Sequence, residues 1–125
     1  MKKDVDAAEE MYKAALAVDP KHLLTLCRYG VLLQSVRKDF DGAEDIYKRV
    51  LEIDPNHAGI LYNYGCLLED VRKDYDGAEE KYKAVLSVDP QHISSMRVYG
   101  RLLHQVNAEH PMIEIKNTNV NYPYL

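Results

Sequence analysis

Tryptophan is absent from these 125 residues and phenylalanine occurs once, so the aromatic content rests on ten tyrosines. Cysteine occurs twice, at Cys27 and Cys66, without CxxC spacing. That pattern supplies neither a disulfide framework nor a zinc site, and the two are expected to be reduced thiols of an intracellular protein. No apolar run approaches the roughly 18 residues of a membrane span. The opening MKKDVDAAEEMYK has no apolar segment, so it is not expected to be a secretory signal, and the expected location is the cytoplasm. A basic excess is missing too. Lysine and arginine number 16 against 20 acidic residues, giving a net charge of -4 and a pI of about 5.7. A surface for nucleic-acid phosphates would need the opposite balance. What remains, 46% hydrophobic and 29% charged, is the composition of one ordinary folded domain.

The chain repeats itself. Residues 21–55 and 56–90 agree at 20 positions when laid over each other at a spacing of 35. Residues 1–20 repeat only the second half of this unit, and residues 91–106 only the first half. A period between 20 and 50 residues marks stacked supersecondary units, each unable to bury its apolar face alone. The expected division is a repeat region over 1–106 (half repeat 1–20, full repeats 21–55 and 56–90, half repeat 91–106) and a tail over 107–125, extended or disordered.

Apolar residues at three- and four-residue steps predict helices over 4–18, 22–36, 40–53, 57–71, 75–88 and 92–106. Asp4 or Asp6 can cap the first, and Asp41 with Glu44 has the spacing of a capping box. Asp-Pro closes three helices, because a residue before proline is pushed out of the helical region. Gly30, Gly65 and Gly100 follow tyrosine in mid-helix, where glycine costs roughly 1 kcal/mol against alanine. Close approach of a neighbouring helix would offset that cost, with Ala43 or Ala78 as the expected contact and Tyr47 or Tyr82 as the seal.

The unit resembles a tetratricopeptide repeat. The family's places are held by Leu26, Leu61 and Met96, by the three Tyr-Gly pairs, by Ala8, Ala43 and Ala78, by Tyr12, Tyr47 and Tyr82, and by Pro20, Pro55 and Pro90. Two departures stand out. The usual period is 34, so one extra residue is expected in the turn around Lys38 and Lys73. Val50 and Val85 replace a smaller residue. The resemblance implies an all-α fold, a right-handed α-α superhelix of antiparallel helix pairs, and a protein-binding role without enzymatic activity or cofactor.

No catalytic or metal constellation emerges. His22, His57 and His92 recur at the period and fall at the start of each first helix, whereas metal ligands converge on one point. A better clue lies in positions that differ between copies and so are free of scaffold duty. On the first helices these include Leu24, Cys27, Val31 and Gln34, then Gly59, Tyr62, Cys66 and Glu69, then Ser94, Arg97, Arg101 and His104. They form one helical stripe, which Asn63 flanks. In a superhelix it would line the concave surface, where solenoids bind extended partners. The stripe runs from apolar to basic. It suits a segment with an apolar end and a carboxylate that Arg97 and Arg101 both reach, with Tyr62 as central anchor. Of the residues by which some family members clamp a C-terminal carboxylate, only Asn63 has a counterpart here.

The leading expectation is therefore a protein–protein adaptor binding a peptide or protein segment in its groove, with no nucleic acid and no membrane as partner. A self-assembling or structural piece of a longer solenoid is the alternative. RNA binding, on the analogy of other repeats with a period near 35, is disfavoured by the acidic balance. The unpaired ends, Ala8, Tyr12 and Ala15 on one side and Tyr99, Leu102, Leu103 and Val106 on the other, predict self-association or cover by the tail.

Overall fold

The structure is a computed structural model that describes the backbone of residues 2–109 and the side chains of residues 4–106. Its helices are α1 (Lys2–Val18), α2 (Leu23–Leu32), α3 (Phe40–Ile53), α4 (Ala58–Leu67), α5 (Tyr75–Val88) and α6 (Ile93–Glu109). Helix follows helix and packs on its sequence neighbours, α2 with α3 and α4 with α5 most extensively. This is an all-α solenoid of antiparallel helix pairs, with no strand among the described residues. The last helix extends to Glu109 rather than 106. The expected tail lies, from residue 110 on, outside the described residues.

The corners follow from Asp-Pro-x-His. The C-capping Asp54 and Asp89 leave the helical region for extended backbone at φ -135° and -133°. Asp19, Asp54 and Asp89 each accept, through Oδ1, the N–H two residues on, at 3.1 to 3.2 Å. The histidine then opens the next helix. His22 Nδ1 accepts from the Thr25 N–H at 3.4 Å, His57 from Ile60 at 3.2 Å and His92 from Ser95 at 3.2 Å. Each thus satisfies one of the orphan donors of a helix start, a task usually held by a short oxygen side chain.

The hairpin between paired helices departs from expectation twice. The extra residue does not lengthen the turn. It is taken up inside the first helix as a π-helical turn, at Leu33–Arg37 and again at Leu68–Arg72. A π turn closes its hydrogen bond over five residues and so absorbs one insertion. Lys38 and Lys73 then reverse the chain in the left-handed region at φ 56°. The cap is Asp39, not Asp41, and Asp74 likewise. Their carboxylates accept the N–H of Gly42 and Gly77 at 3.0 Å. Asp41 is left to pair with Arg72.

The mid-helix glycines face a ring rather than an alanine. A Cβ on Gly30 would stand 2.7 Å from Cε1 of Tyr47, and one on Gly65 2.6 Å from Cε1 of Tyr82. Both rings are fully buried. Ala43 and Ala78 are buried as well, but the nearest atoms to the glycines belong to Tyr47 and Ile46 and to Tyr82 and Lys81. Successive pairs are joined by a second tyrosine set. Tyr12 meets Tyr29, Tyr47 meets Tyr64 and Tyr82 meets Tyr99 with centroids 6.2, 6.0 and 6.3 Å apart, tilted as aromatic pairs prefer. Tyr29 donates to Glu9 at 3.2 Å and Tyr64 to Glu44 at 2.6 Å, while Arg37 pairs with Asp6 and Glu9, and Arg72 with Asp41 and Glu44.

Candidate peptide-binding groove

The stripe positions lie on α2, α4 and α6 with their π-helical ends, and the structure sorts them into three groups. Leu24 and Val31 are exposed apolar side chains on α2. Val31 and Cys27 line a hollow of about 400 Å³, and Asn63 and His57 of α4 close its other side. Cys27 Sγ stands 3.5 Å from His57 Nε2. The geometry gives this pair no nucleophilic role. Nδ1 of His57 already accepts the Ile60 N–H. The proton of the neutral ring therefore sits on Nε2 and points at the sulfur, leaving no lone pair to take a thiol proton. Burial, and after it the Asp54 carboxylate, push the Cys27 thiol above its ordinary range. A reactive cysteine needs the reverse.

Tyr62 and Cys66 form the middle of the stripe, both half-buried. The Tyr62 ring leans on His92 with centroids 5.4 Å apart. Burial and neighbouring Cys66 raise its hydroxyl pKa, and the nearby charges of Arg97 and Arg101 oppose the rise. Its hydroxyl is a neutral donor at any ordinary pH.

The third group differs from expectation. Glu69 is not a groove acceptor but a buried carboxylate, 3% exposed. It accepts from the Tyr82 hydroxyl at 2.8 Å and from Arg101 at 3.1 Å. Gln34, its counterpart one repeat earlier, accepts from Tyr47 in the same way. Arg101 is thus already bound to a carboxylate of its own chain, though half its side chain remains exposed. Arg97 forms no ion pair among the described residues and stands exposed, as does His104. The guanidinium free for an incoming carboxylate is that of Arg97, and the expected two-arginine site reduces to Arg97 with the outer edge of Arg101.

The hollow also contains residues that the comparison of copies passed over. Tyr12, Arg28, Leu32 and Val36 extend it toward α1. Leu32 and Val36 recur as Leu67/Val71 and Leu102/Val106, and identity between copies marked them as scaffold. The signal that finds them is position. The same residue is buried at Leu67 and Leu102, where an earlier first helix packs beside it, and more exposed at Leu32, on the first of these helices.

Among the described residues, no group of three or more His, Cys, Asp or Glu could hold a metal ion. Among those residues, no helix is long and apolar enough to cross a membrane. Residues 3–58 and residues 46–80 each match a family model described as "Tetratricopeptide repeat". A search of curated proteins finds no match.

Proposed function

The chain belongs to the tetratricopeptide repeat family, whose repeats generally serve protein–protein interaction, and from that premise we propose a specific form of that role. It is a non-enzymatic adaptor that holds an extended peptide or protein segment along α2, α4 and α6. The observation that carries this reading is the composition of the stripe where it is free of scaffold duty. Leu24 and Val31 are exposed at one end, Tyr62 is half-buried at the centre, and unpaired Arg97 is exposed at the other. A face selected only for solvation would not carry apolar side chains beside a hollow. The bound segment is apolar over α2 and acidic over α6. Tyr62 stacks on it and donates a hydrogen bond, as anchor residues in interfaces do. Arg97 binds its carboxylate through a charge-assisted pair. The two free thiols fit a reducing compartment, and we place the adaptor in the cytoplasm. The acidic balance argues against RNA as the ligand.

The test is a pull-down followed by titration of the recovered protein against wild type, Tyr62→Ala and Arg97→Glu. Each variant is expected to lose ~1–2 kcal/mol or more of binding, with helical content and melting nearly unchanged. Equal affinities across the three would move the binding surface to the convex helices or the ends.

A further inference from the structure

At one corner of the molecule, between α1 and α2, side chains are exposed whose counterparts in other copies are covered. Leu67 and Leu102 are fully buried, at 0% and 1%, Val106 is 7% exposed and Val71 is half-buried. The matching Leu32 of α2 is half-buried, and Val36, in the π-helical turn that follows, is 52% exposed. On α1, Tyr12 is half-buried where Tyr47 and Tyr82 are sealed, and Met11 is 64% exposed where Ile46 is 6%. At Tyr47 and Tyr82 the sealing element is the first helix of the same repeat, laid down with its glycine against the ring. At Tyr12 that place is open, and the hollow reaches into it.

The internal copies fix the form of a helix that would cover this corner. It needs a glycine over Tyr12 and Met11, large apolar residues four before and three after the glycine (as Leu26 and Leu33 flank Gly30), and an acceptor four after it. Gln34 and Glu69 fill that last place for Tyr47 and Tyr82. The Tyr12 hydroxyl makes no hydrogen bond among the described residues.

Charge then selects among helices of that form. Arg28 borders the open hollow and has no ion pair among the described residues. Its counterpart Asn63 shares a hollow with Cys27 and Val31 of the preceding first helix. An incoming helix therefore meets Arg28 with its own residues at those two places, three before and one after the glycine. In α6 these are Arg97 and Arg101. A second copy docking its α6 here would set unpaired Arg97, with Arg101 and its partner Glu69 beside it, against a third guanidinium group. We propose that this corner, formed by α1 and α2, binds an amphipathic helix of another protein that carries a carboxylate at one or both of those places. It disfavours a second copy of this chain. The corner shares one hollow with the apolar end of the groove, and the proposal concerns its Tyr12 side, whatever segment the groove binds.

The probe is a labelled peptide of residues 21–38 with Cys27→Glu and Val31→Glu, compared with the same peptide carrying Cys27→Arg and Val31→Arg, titrated by fluorescence anisotropy against the full chain. The acidic peptide is expected to saturate and to bind at least tenfold more tightly than the basic one. Arg28→Glu in the protein should reverse that order. Val36→Asp, an exposed position whose change leaves the fold intact by circular dichroism, should weaken the acidic peptide tenfold or more. Lack of saturable binding by the acidic peptide overturns the proposal. So does equal binding of both peptides regardless of residue 28. A mass that grows with protein concentration, and whose growth Val36→Asp abolishes, overturns it in favour of a second copy.

Discussion

Gln34 and Glu69 hold the same place in consecutive repeats and accept from the same hydroxyl, that of Tyr47 and Tyr82. One acceptor is neutral and the other a buried carboxylate. The difference is matched across the next interface. Arg101, thirty-two residues beyond Glu69, neutralises it, whereas the residue thirty-two beyond Gln34 is uncharged Cys66. Two substitutions that look independent along the chain are one exchange in space. A buried charge without a partner would shift or unfold its site. The second interface can carry a carboxylate only because the third first-helix brings an arginine. A repeat protein is therefore specified interface by interface rather than unit by unit.

The hardest way to break this comparison is to remove the hydroxyl-bearing rings. Tyr47→Ala should cost roughly 3–5 kcal/mol through the cavity it leaves. Tyr82→Ala should cost about 1 kcal/mol more, because it also strips a hydrogen bond from a charged acceptor. Denaturant melts measure both. Equal losses would mean that Glu69 relies on Arg101 alone.

A sharper cut is the double-mutant cycle at Glu69 and Arg101. Arg101→Ala leaves the carboxylate with one donor and should cost about 1–3 kcal/mol, toward the low end because the arginine is half exposed. Glu69→Gln with Arg101→Ala rebuilds the neutral arrangement of the first repeat and should recover more than half of the loss. Additive single costs would show that the two residues do not act as a pair.

The histidine caps come next. His57→Ala removes an acceptor from the Ile60 N–H and should cost about 1 kcal/mol, within the usual range for an N-cap. His22→Ala should cost less, since its bonds to the Thr25 N–H at 3.4 Å and the Thr25 hydroxyl at 2.8 Å stand in solvent, whereas the His57 cap is partly buried. Thermal melts that rank His22→Ala as the worse variant would assign the histidines some other task.

How much of this was legible in the sequence depends on whether a feature is local. The helices and their Asp-Pro-x-His corners are local, because apolar spacing and stop residues lie within each segment. The period announced one extra residue but not its place. A longer turn and a π turn add the same single residue, and only the packed hairpin chooses between them. Asp39-Phe40-Asp41 offers two caps two residues apart, and the left-handed Lys38 settles the choice for Asp39. The family and the all-α solenoid follow from the repeat itself. In the candidate groove, differences between copies identified the stripe but could not show that Glu69 points inward, since its burial depends on residues thirteen and thirty-two positions away. Leu32 and Val36 were hidden by the opposite cause. They match their copies, and only their place at the edge of the array leaves them uncovered.

The smallest effect expected lies at acid pH, in the clamp between α3 and α4. Tyr64 donates to Glu44 Oε2 at 2.6 Å and Arg72 to Oε1 at 3.1 Å. The Tyr64 bond is the first cause holding the Glu44 carboxyl below its ordinary range, with Arg72 and Lys48 adding to it against an opposing contribution from burial. A carboxyl whose folded pKa is depressed binds its proton more weakly in the native state than in the unfolded chain. Its contribution to stability is complete above the unfolded value, about 4.3 for glutamate, and disappears as pH falls through the lower folded value. Wild type should therefore lose stability below that point, and Tyr64→Phe should lose less. The gap between the two in urea melts should be widest at pH 7 and narrow at pH 3, where a protonated Glu44 has less to gain from a phenol donor. A gap of the same width at both pH values would mean that Tyr64 contributes through its ring against Tyr47 and not through the carboxylate.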